Sequence, residues 1–330
     1  MDVRFGTDGI RGVANAELGV ELVLALGRAA ARVLPASTFV VGRDTRRSGT
    51  LLQAALSAGL ASEGADVVDL GVLPTPGVAW VSAERSVPAA MVSASHNPFA
   101  DNGIKLFAAG GTKLPDATEE SIEEELQAIL HGAGRGPRRP TGPGVGRLWP
   151  DPDALADYRA HLVAAADGRD LAGLHVVVDC ANGAASAVAP EVLRSLGARV
   201  DVLADEPDGT NINAGVGSTH PEHVAGEVLA RGASIGLALD GDADRLVAVD
   251  HTGAVATGDE LLAMFAIDMA SRGQLAGNTV VVTVMSNLGL RLAMADRGIA
   301  VRETPVGDRY VLEALDKDGL ALGGEQSGHI

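Results

Sequence analysis

Short apolar runs alternate with longer segments of helical periodicity along most of the chain, and this rhythm restricts the fold more than any other feature. Residues 38–41, 65–70 and 89–92 have the length and apolar content of buried strands. Between them, residues 17–34 and 51–63 repeat apolar side chains at helical spacing. Strands that alternate with helices indicate an α/β domain with a parallel or mixed sheet.

The same rhythm predicts three successive α/β domains. A stretch rich in Gly, Pro and Arg at residues 131–150 is typical of a linker, so the first domain is expected over residues 1–150. The rhythm then supports a second domain over residues 151–256 and a third over residues 257–330. Each is expected to hold a mixed sheet sandwiched by helices. With 46% hydrophobic residues among 330, the chain can bury a core in each domain.

Composition excludes several classes of protein. The 26 basic and 43 acidic residues give a net charge of −17, which argues against a nucleic-acid partner because such a partner requires a basic face. No apolar run reaches the roughly 18 residues that a membrane helix needs. Cys180 is the single cysteine, so an internal disulfide framework is excluded and a reducing compartment is favoured. We therefore expect a cytoplasmic protein without nucleic-acid or membrane partners.

A polar loop follows the apolar run at residues 89–92. It places Ser95 beside His96, ahead of Pro98 and a second turn signal at residues 101–103, and this pattern favours a sharply folded loop at the end of a strand. Ligands bind at such strand ends in open α/β sheets. A hydroxyl next to an imidazole suggests a nucleophile beside a base. The alternative is a polar turn without chemistry, and this stretch alone is compatible with both.

Three aspartates, Asp240, Asp242 and Asp244, occupy alternate positions of a loop between two apolar runs. Carboxylates this close repel one another unless a cation neutralises them, and hard oxygen ligands suit Mg²⁺, Ca²⁺ or Mn²⁺. An EF-hand is excluded, since the loop has Arg245 and His251 where that motif needs glycine and glutamate. The alternative, a solvated acidic turn, fits poorly with a loop at the end of a buried sheet. The loop therefore predicts a metal site.

A serine nucleophile paired with an acidic metal loop indicates phosphoryl transfer. Catalysis of that reaction rests mainly on positioning and charge neutralisation, and a phosphorylated Ser95 would add a ligand to an ion held by the aspartates. Arg245, directly after the aspartates, would offset their charge or hold a substrate phosphate. The pentapeptide elbow of the hydrolases is absent around Ser95, which weighs against acyl transfer.

Six segments of the chain match, in order, the motifs of one enzyme superfamily. The segments, with their residue numbers, are FGTDGIRG (5–12), GRDTRRSG (42–49), SASHNPFADNGIK (93–105), DGDADR (240–245), VGDRYV (306–311) and GEQSGHI (324–330). By these motifs the chain resembles the α-D-phosphohexomutase superfamily, and the first and last segments resemble its amino-sugar branch. Together the six segments span the whole chain, which makes the resemblance far more specific than any single motif.

The resemblance implies a site with three kinds of residue. One Mg²⁺ ion would be held by a phosphate on Ser95 and by the carboxylates of Asp240, Asp242 and Asp244. The general acid or base would be His96 or Lys105. Arg11 and Arg245 would surround the transferring phosphate of the substrate. Glu325 and Ser327 would bind the sugar hydroxyls.

The reaction that the resemblance implies interconverts glucosamine 6-phosphate and glucosamine 1-phosphate. It passes through a phosphoserine enzyme and a 1,6-bisphosphate, which also serves as activator, and its product feeds UDP-N-acetylglucosamine and cell-wall synthesis. Two alternatives remain open: a mutase of the same superfamily that prefers mannose or glucose phosphates, and a catalytically silent module that binds metal or sugar phosphate. The partner is expected to be a phosphorylated hexosamine, and a homodimer is an option.

Family members have four domains, and the last one clamps the distal phosphate of the substrate. This chain is expected to end inside the third domain and to lack that clamp. Because a mutase must hold its substrate in two orientations, we expect low turnover from these 330 residues, with the metal site retained.

Overall fold

The computed structural model of the chain describes residues 6, 9–132 and 139–330. Within these ranges, three sheets of six, five and three strands follow one another along the chain. Helices pack on the sheet in each unit, so the predicted succession of α/β units is present. In the described ranges no helix combines the length and the apolar content that crossing a membrane requires.

The first unit contains a mixed sheet. Its elements, in chain order, are β1 (Ile10–Val13), α1 (Val20–Val33), β2 (Thr38–Arg43), α2 (Gly49–Ser62), β3 (Asp66–Val72), α3 (Thr75–Arg85), β4 (Ala89–Val92), β5 (Asp101–Phe107), α4 (Asp116–Leu130) and β6 (Leu148–Pro150). The strand order is β1-β5-β4-β2-β3-β6. β2 pairs in parallel with β3 and β4, whereas β5 is antiparallel to both β4 and β1.

Two segments of the first unit differ from the sequence-based expectation. The predicted turn at residues 101–103 is the start of β5, where Asn102 pairs with Gly12 of β1. These turn-forming residues are extended because β1 pairs with them along their whole length, a tertiary effect that outweighs local propensity. The expected linker at residues 131–150 ends in β6, which joins β3 in parallel. Residues 133–138 of that linker lie outside the described residues.

The second and third units repeat the α/β pattern with smaller sheets. The second comprises α5 (Ala154–Ala165), β7 (His175–Asp179), α6 (Ala189–Ser195), β8 (Arg199–Leu203), α7 (Pro221–Arg231), β9 (Ile235–Leu239), β10 (Leu246–Asp250) and β11 (Val255–Ala256). The third comprises α8 (Gly258–Ser271), β12 (Thr279–Thr283), α9 (Leu288–Asp296), β13 (Ala300–Thr304), α10 (Asp308–Asp318) and β14 (Gly323–Gly324). The second sheet is mixed, and the three described strands of the third sheet are parallel.

A shared apolar core joins the first two units. Tyr158 of α5 is buried in the same cluster as Met91 of β4 and Val78 of α3. Beside it, the indole of Trp80 stacks on the ring of His161 with centroids 4.7 Å apart. Burial of Tyr158 against Met91 and Val78 holds the two units together, and the loops that follow β4 and β9 meet at their junction.

Candidate active site

Ser95 lies in the loop after β4, fully buried, with its backbone in the left-handed region at φ 53°. Its amide donates to the hydroxyl of Ser93 at 2.9 Å. Its carbonyl accepts one hydrogen bond from Arg46 Nη2 at 2.8 Å and another from Asn213 Nδ2 at 2.9 Å. A non-glycine residue keeps this conformation only where its surroundings fix it, and here three hydrogen bonds do so.

Arg46 shapes the loop that carries Ser95. Its buried guanidinium pairs with Asp44 at 2.8 Å and also donates to the carbonyls of Asn97 at 2.8 Å and Asp101 at 3.1 Å. An arginine has five donors in a fixed fork, and nearly all of them are used on this one loop. In the segment at residues 42–49, Arg46 therefore acts through an ion pair with Asp44 and through hydrogen bonds to the loop backbone.

The hydroxyl of Ser95 faces the acidic cluster. Ser95 Oγ donates to Asp240 Oδ2 at 2.5 Å, and His96 Nδ1 lies 3.4 Å from Ser95 Oγ. Burial, and then the charges of Asp244 and Asp242, raise the pKa of Asp240 well above its usual value. The carboxylates thus destabilise one another's charge, as expected of a cluster that requires a cation.

The three aspartates fit a metal ion of the hard, oxygen-preferring class. One oxygen from each of Asp240, Asp242 and Asp244 lies within 4.8 Å of the others. Asp242 is fully buried and accepts from Thr75 Oγ1 at 2.7 Å through Oδ2. Its other oxygen, Oδ1, is buried without a hydrogen-bond partner among the residues that the structure describes. A buried acceptor left unpaired is costly, and a bound cation would satisfy it. The predicted metal-binding cluster is therefore confirmed as an arrangement.

Lys105 of β5 reaches the same cluster from the first unit. Its ammonium lies 3.2 Å from Asp242 Oδ2 and 2.7 Å from Asp244 Oδ2. Burial acts to raise the pKa of Asp244, but the charges and hydrogen bonds of Lys105 and His329 outweigh it and hold that pKa well below its usual value. Residues from all three units thus meet at one carboxylate.

The third unit contributes the loop after β14. His329 Nε2 lies 3.2 Å from Asp244 Oδ1, and His329 Nδ1 lies 3.1 Å from Glu325 Oε2. Burial acts to lower the pKa of His329, but hydrogen bonds to the two carboxylates raise it to about 9. A protonated imidazole donates from both nitrogens, so His329 ties Glu325 to the acidic cluster. Arg245 Nε is 3.1 Å from His329 Nε2.

A cavity of about 450 Å³ opens between the three units above the cluster. The predicted site residues on its wall are Lys105, Asp244, Arg245 and Glu325, together with His329. Ser95, Asp240 and Asp242 are fully buried and do not line it. The remaining predicted residues, Arg11, His96 and Ser327, are not part of the cavity wall as the described residues define it. Arg11 instead lies over β5, with Cγ 3.0 Å from where a Cβ on Gly103 would be.

Sequence reasoning missed three residues that organise this site. Thr75, the first residue of α3, donates its hydroxyl to Asp242. Asn213, in the polar loop between β8 and α7, donates its side-chain amide to the Ser95 carbonyl. His329 was part of a matched motif without a role of its own. The one usable signal was the presence of amide and hydroxyl side chains in loops at strand ends.

Gly241 allows the two loops to approach. A Cβ at this position would lie 2.6 Å from the Ser95 carbonyl oxygen and 2.9 Å from Asn213 Nδ2. We expect Gly241→Ala to push the loops apart and destabilise the protein by about 1–3 kcal/mol, measured by urea unfolding. Gly226→Ala in α7 is the matched control. A Cβ there meets no described atom within 4 Å, so this change should stabilise by about 0.5–1 kcal/mol. Equal unfolding midpoints for Gly241→Ala and the parent would contradict the close contact.

Sequence models of one protein family match three successive parts of the chain. They are described as phosphoglucomutase/phosphomannomutase alpha/beta/alpha domain I, at residues 2–132, domain II, at residues 156–253, and domain III, at residues 257–330. These matches confirm the predicted fold class of successive α/β domains.

Curated relatives and solved structures agree with the family models. The chain is 55% identical to a phosphoglucosamine mutase of Desulforudis audaxviator, over 100% of this chain and 73% of that relative. A phosphoglucomutase/phosphomannomutase family protein of Burkholderia thailandensis has a TM-score of 0.83 at 30% identity, covering 98% of this chain and 70% of that one.

A more distant structure shares the fold. An Aspergillus fumigatus N-acetylphosphoglucosamine mutase, solved with GlcNAc-6P and magnesium, has a TM-score of 0.54 at 18% identity over 88% of this chain and 52% of that one. The resemblance that the six sequence motifs indicated is therefore confirmed by independent comparisons. The chain belongs to the phosphoglucomutase/phosphomannomutase family.

Proposed function

We propose that this chain interconverts glucosamine 6-phosphate and glucosamine 1-phosphate by phosphoryl transfer through Ser95. The observation that carries the proposal is the hydrogen bond of 2.5 Å from Ser95 Oγ to Asp240, inside an acidic cluster that borders the cavity. A relative at 55% identity is named phosphoglucosamine mutase, which supports an amino sugar as substrate. We further propose the cytoplasm as the compartment.

The transfer step exchanges one phosphorus–oxygen bond for another. A substrate hydroxyl forms a bond to the phosphorus of phosphorylated Ser95 while the bond from Ser95 Oγ breaks, and the hydroxyl proton is passed on so that Ser95 Oγ ends protonated. Lys105 lines the cavity, so it is suited to exchange a proton with the sugar hydroxyl. His96 lies 3.4 Å from Ser95 Oγ, on the side of the serine. Reversal of the step at the other phosphate of the bisphosphate restores the phosphoserine.

We propose Mg²⁺ as the cofactor and a hexosamine 1,6-bisphosphate as the activator. Asp240, Asp242, Asp244 and the phosphate on Ser95 would hold the ion, and the unpaired Asp242 Oδ1 supports this ligand set. When bound, the ion would neutralise charge on the phosphoryl oxygens. Magnesium is present in the related Aspergillus structure.

The cavity supports the proposed substrate contacts. Its volume of about 450 Å³ is within the range of small-molecule sites. Glu325 accepts from Gly307 N at 2.9 Å and contacts His329, which fixes its carboxylate at the cavity wall; free lone pairs on its oxygens are available to sugar hydroxyls. Arg245 is placed for a phosphate. Arg11 and Ser327 stay predictions as substrate-binding residues.

A single-turnover experiment tests this function. Protein carrying radiolabelled phosphate on Ser95 is mixed with glucosamine 6-phosphate, glucose 6-phosphate or mannose 6-phosphate, and loss of label from the protein is followed with time. We expect transfer to all three sugars, fastest to glucosamine 6-phosphate. Fastest transfer to glucose or mannose 6-phosphate would favour a phosphoglucomutase or phosphomannomutase instead. Absence of transfer to any sugar would favour a silent binding module.

A further inference from the structure

We propose that Arg309 is a positioning residue that fixes the third unit against the first and thereby keeps Glu325 opposite Lys105 across the cavity. The proposal concerns the matched segment at residues 306–311, to which the phosphoryl-transfer chemistry assigns no part. Its kinetic consequence rests on the proposed function, whereas its structural consequence does not.

Two sets of ion pairs cross from the third unit to the first at this point. Arg309, in the first turn of α10, donates to Asp116 and lies 2.6 Å from Glu119 Oε1, both in the first turns of α4. The adjacent Asp308 pairs with Lys113, which precedes α4. We call these contacts the interdomain bridge. Each unit supplies both positive and negative side chains to the bridge. The bridge therefore fixes the position of the start of α10 relative to the start of α4, in addition to holding the two helix ends together.

The environment of Arg309 indicates that the bridge is a specific contact. The Arg309 side chain is only 10% exposed, and that of Glu119 is 13% exposed. Taking these charges out of water is costly unless each is paired, so the pairing is maintained as long as the two units stay together. Removal of Arg309 would leave Glu119 as a buried carboxylate facing no cation across the junction, which favours separation of the units and access of water.

The bridge is directly linked to the cavity. Gly307, two residues before Arg309, donates its amide to Glu325 Oε1 at 2.9 Å. Lys113 and Asp308 are themselves part of the cavity wall. Glu325 is therefore held between two anchors, the start of α10 on one side and His329 with the acidic cluster on the other. Displacement of α10 away from α4 would move Glu325 with it.

The contacts that fold α10 within its own unit are separate from the bridge. Val311 and Ala314 pack with Val281 in an apolar cluster of the third unit. Loss of the Arg309 ion pairs therefore leaves the attachment of α10 to its sheet in place. Arg302 offers a matched control in the same unit, since it pairs with Asp318 at 3.4 Å and its side chain is 50% exposed.

The structural test measures the distance between the units without any substrate. Because Cys180 is fully buried, spin labels can be attached at the exposed positions of Glu124→Cys in α4 and Arg297→Cys after α9. We expect one narrow distance distribution in this background and a broader, longer one after Arg309→Gln. Arg302→Gln should leave the distribution unchanged. An unchanged distribution in Arg309→Gln would overturn the proposal.

The kinetic test separates positioning from general damage. Arg309→Gln should raise the KM for glucosamine 6-phosphate by about tenfold or more, as loss of a charge-assisted hydrogen bond implies, while Mg²⁺ affinity measured by calorimetry stays the same. Arg309→Lys, which keeps the charge, should recover part of the loss. Glu119→Gln should raise KM in the parent but add little in the Arg309→Gln background, because the two residues act as one contact.

Three results decide the outcome. Additive effects of Arg309→Gln and Glu119→Gln, or a parallel loss of Mg²⁺ affinity, would overturn the proposal. If Arg309→Gln does not fold, Glu119→Gln provides the same distance measurement from the other side of the bridge. If the parent protein transfers no phosphate to any sugar, the proposed function fails, while the distance measurement still decides on the bridge.

Discussion

Replacement of Ser95 by alanine is expected to abolish phosphorylation of the protein and all phosphoryl transfer to sugar phosphates. Among the described residues of the loop after β4, Ser95 is the one whose hydroxyl donates to the acidic cluster. Its Oγ lies 2.5 Å from Asp240 Oδ2. Removal of a covalent nucleophile eliminates the two-step route altogether. We therefore expect activity lower by several orders of magnitude, an effect typical of nucleophile removal.

Mass spectrometry measures this effect directly. The parent, incubated with a hexose 1,6-bisphosphate, should carry phosphate on the peptide that contains Ser95, and Ser95→Ala should carry none. Ser121→Ala in α4, which removes an exposed hydroxyl bonded only within its helix, should be phosphorylated like the parent. Phosphate found on Ser93, or retained in Ser95→Ala, would show that the nucleophile is misassigned. The free energy of unfolding, measured by thermal denaturation, should fall by only about 1 kcal/mol, because one hydrogen bond to Asp240 is lost.

Asp242→Asn should weaken Mg²⁺ binding by about 100-fold or more, the second largest effect we expect. The change keeps the shape of the side chain but removes one charge from the cluster, and hard cations depend strongly on carboxylate charge. Of the three aspartates, Asp242 is the one with a buried oxygen that lacks a hydrogen-bond partner among the described residues, so the substitution removes charge from the carboxylate that is best placed to bind the ion. Calorimetry of the purified protein with MgCl₂ gives the two dissociation constants.

Two comparisons sharpen this measurement. Asp296→Asn at the exposed end of α9 removes the same charge from the protein far from the cluster and should leave Mg²⁺ affinity unchanged. Phosphorylation of Ser95 should tighten binding in the parent, because the phosphate adds both charge and a ligand. Equal affinity in Asp242→Asn and the parent would mean that the three aspartates form only a polar turn.

Local sequence patterns predicted much of the fold. The apolar run at residues 89–92 has the bounds of β4, because continuous burial of a strand leaves an unbroken apolar signature. β5 was missed at its start, since Asn102 and Gly103 are turn-forming residues whose extended conformation depends on pairing with β1. β6 was missed for a related reason, because a short edge strand with exposed side chains leaves no periodic pattern.

The residues proposed to carry the chemistry could be predicted from the sequence, whereas the residues that position them could not. Ser95 and the aspartates were expected to meet because a serine nucleophile paired with an acidic metal loop indicates phosphoryl transfer, and the hydrogen bond between Ser95 and Asp240 spans 145 positions of sequence. Arg46 and Asn213 were not assigned to the nucleophile because their partners are backbone carbonyls. A carbonyl has no signature in the sequence, so contacts to it emerge only from the folded geometry.

The carbonyl of Ser95 has a practical consequence for chimaeric proteins. It takes one hydrogen bond from Arg46 in the first unit and one from Asn213 in the second, so both units determine the geometry of the proposed nucleophile. A hybrid that combines the first unit of this chain with the second unit of a distant relative would retain Ser95. The hydrogen-bond donor that Asn213 provides to its carbonyl would then come from the relative. Exchange of parts between relatives should therefore preserve the loops at residues 93–105, 208–213 and 240–245 as a set inherited together.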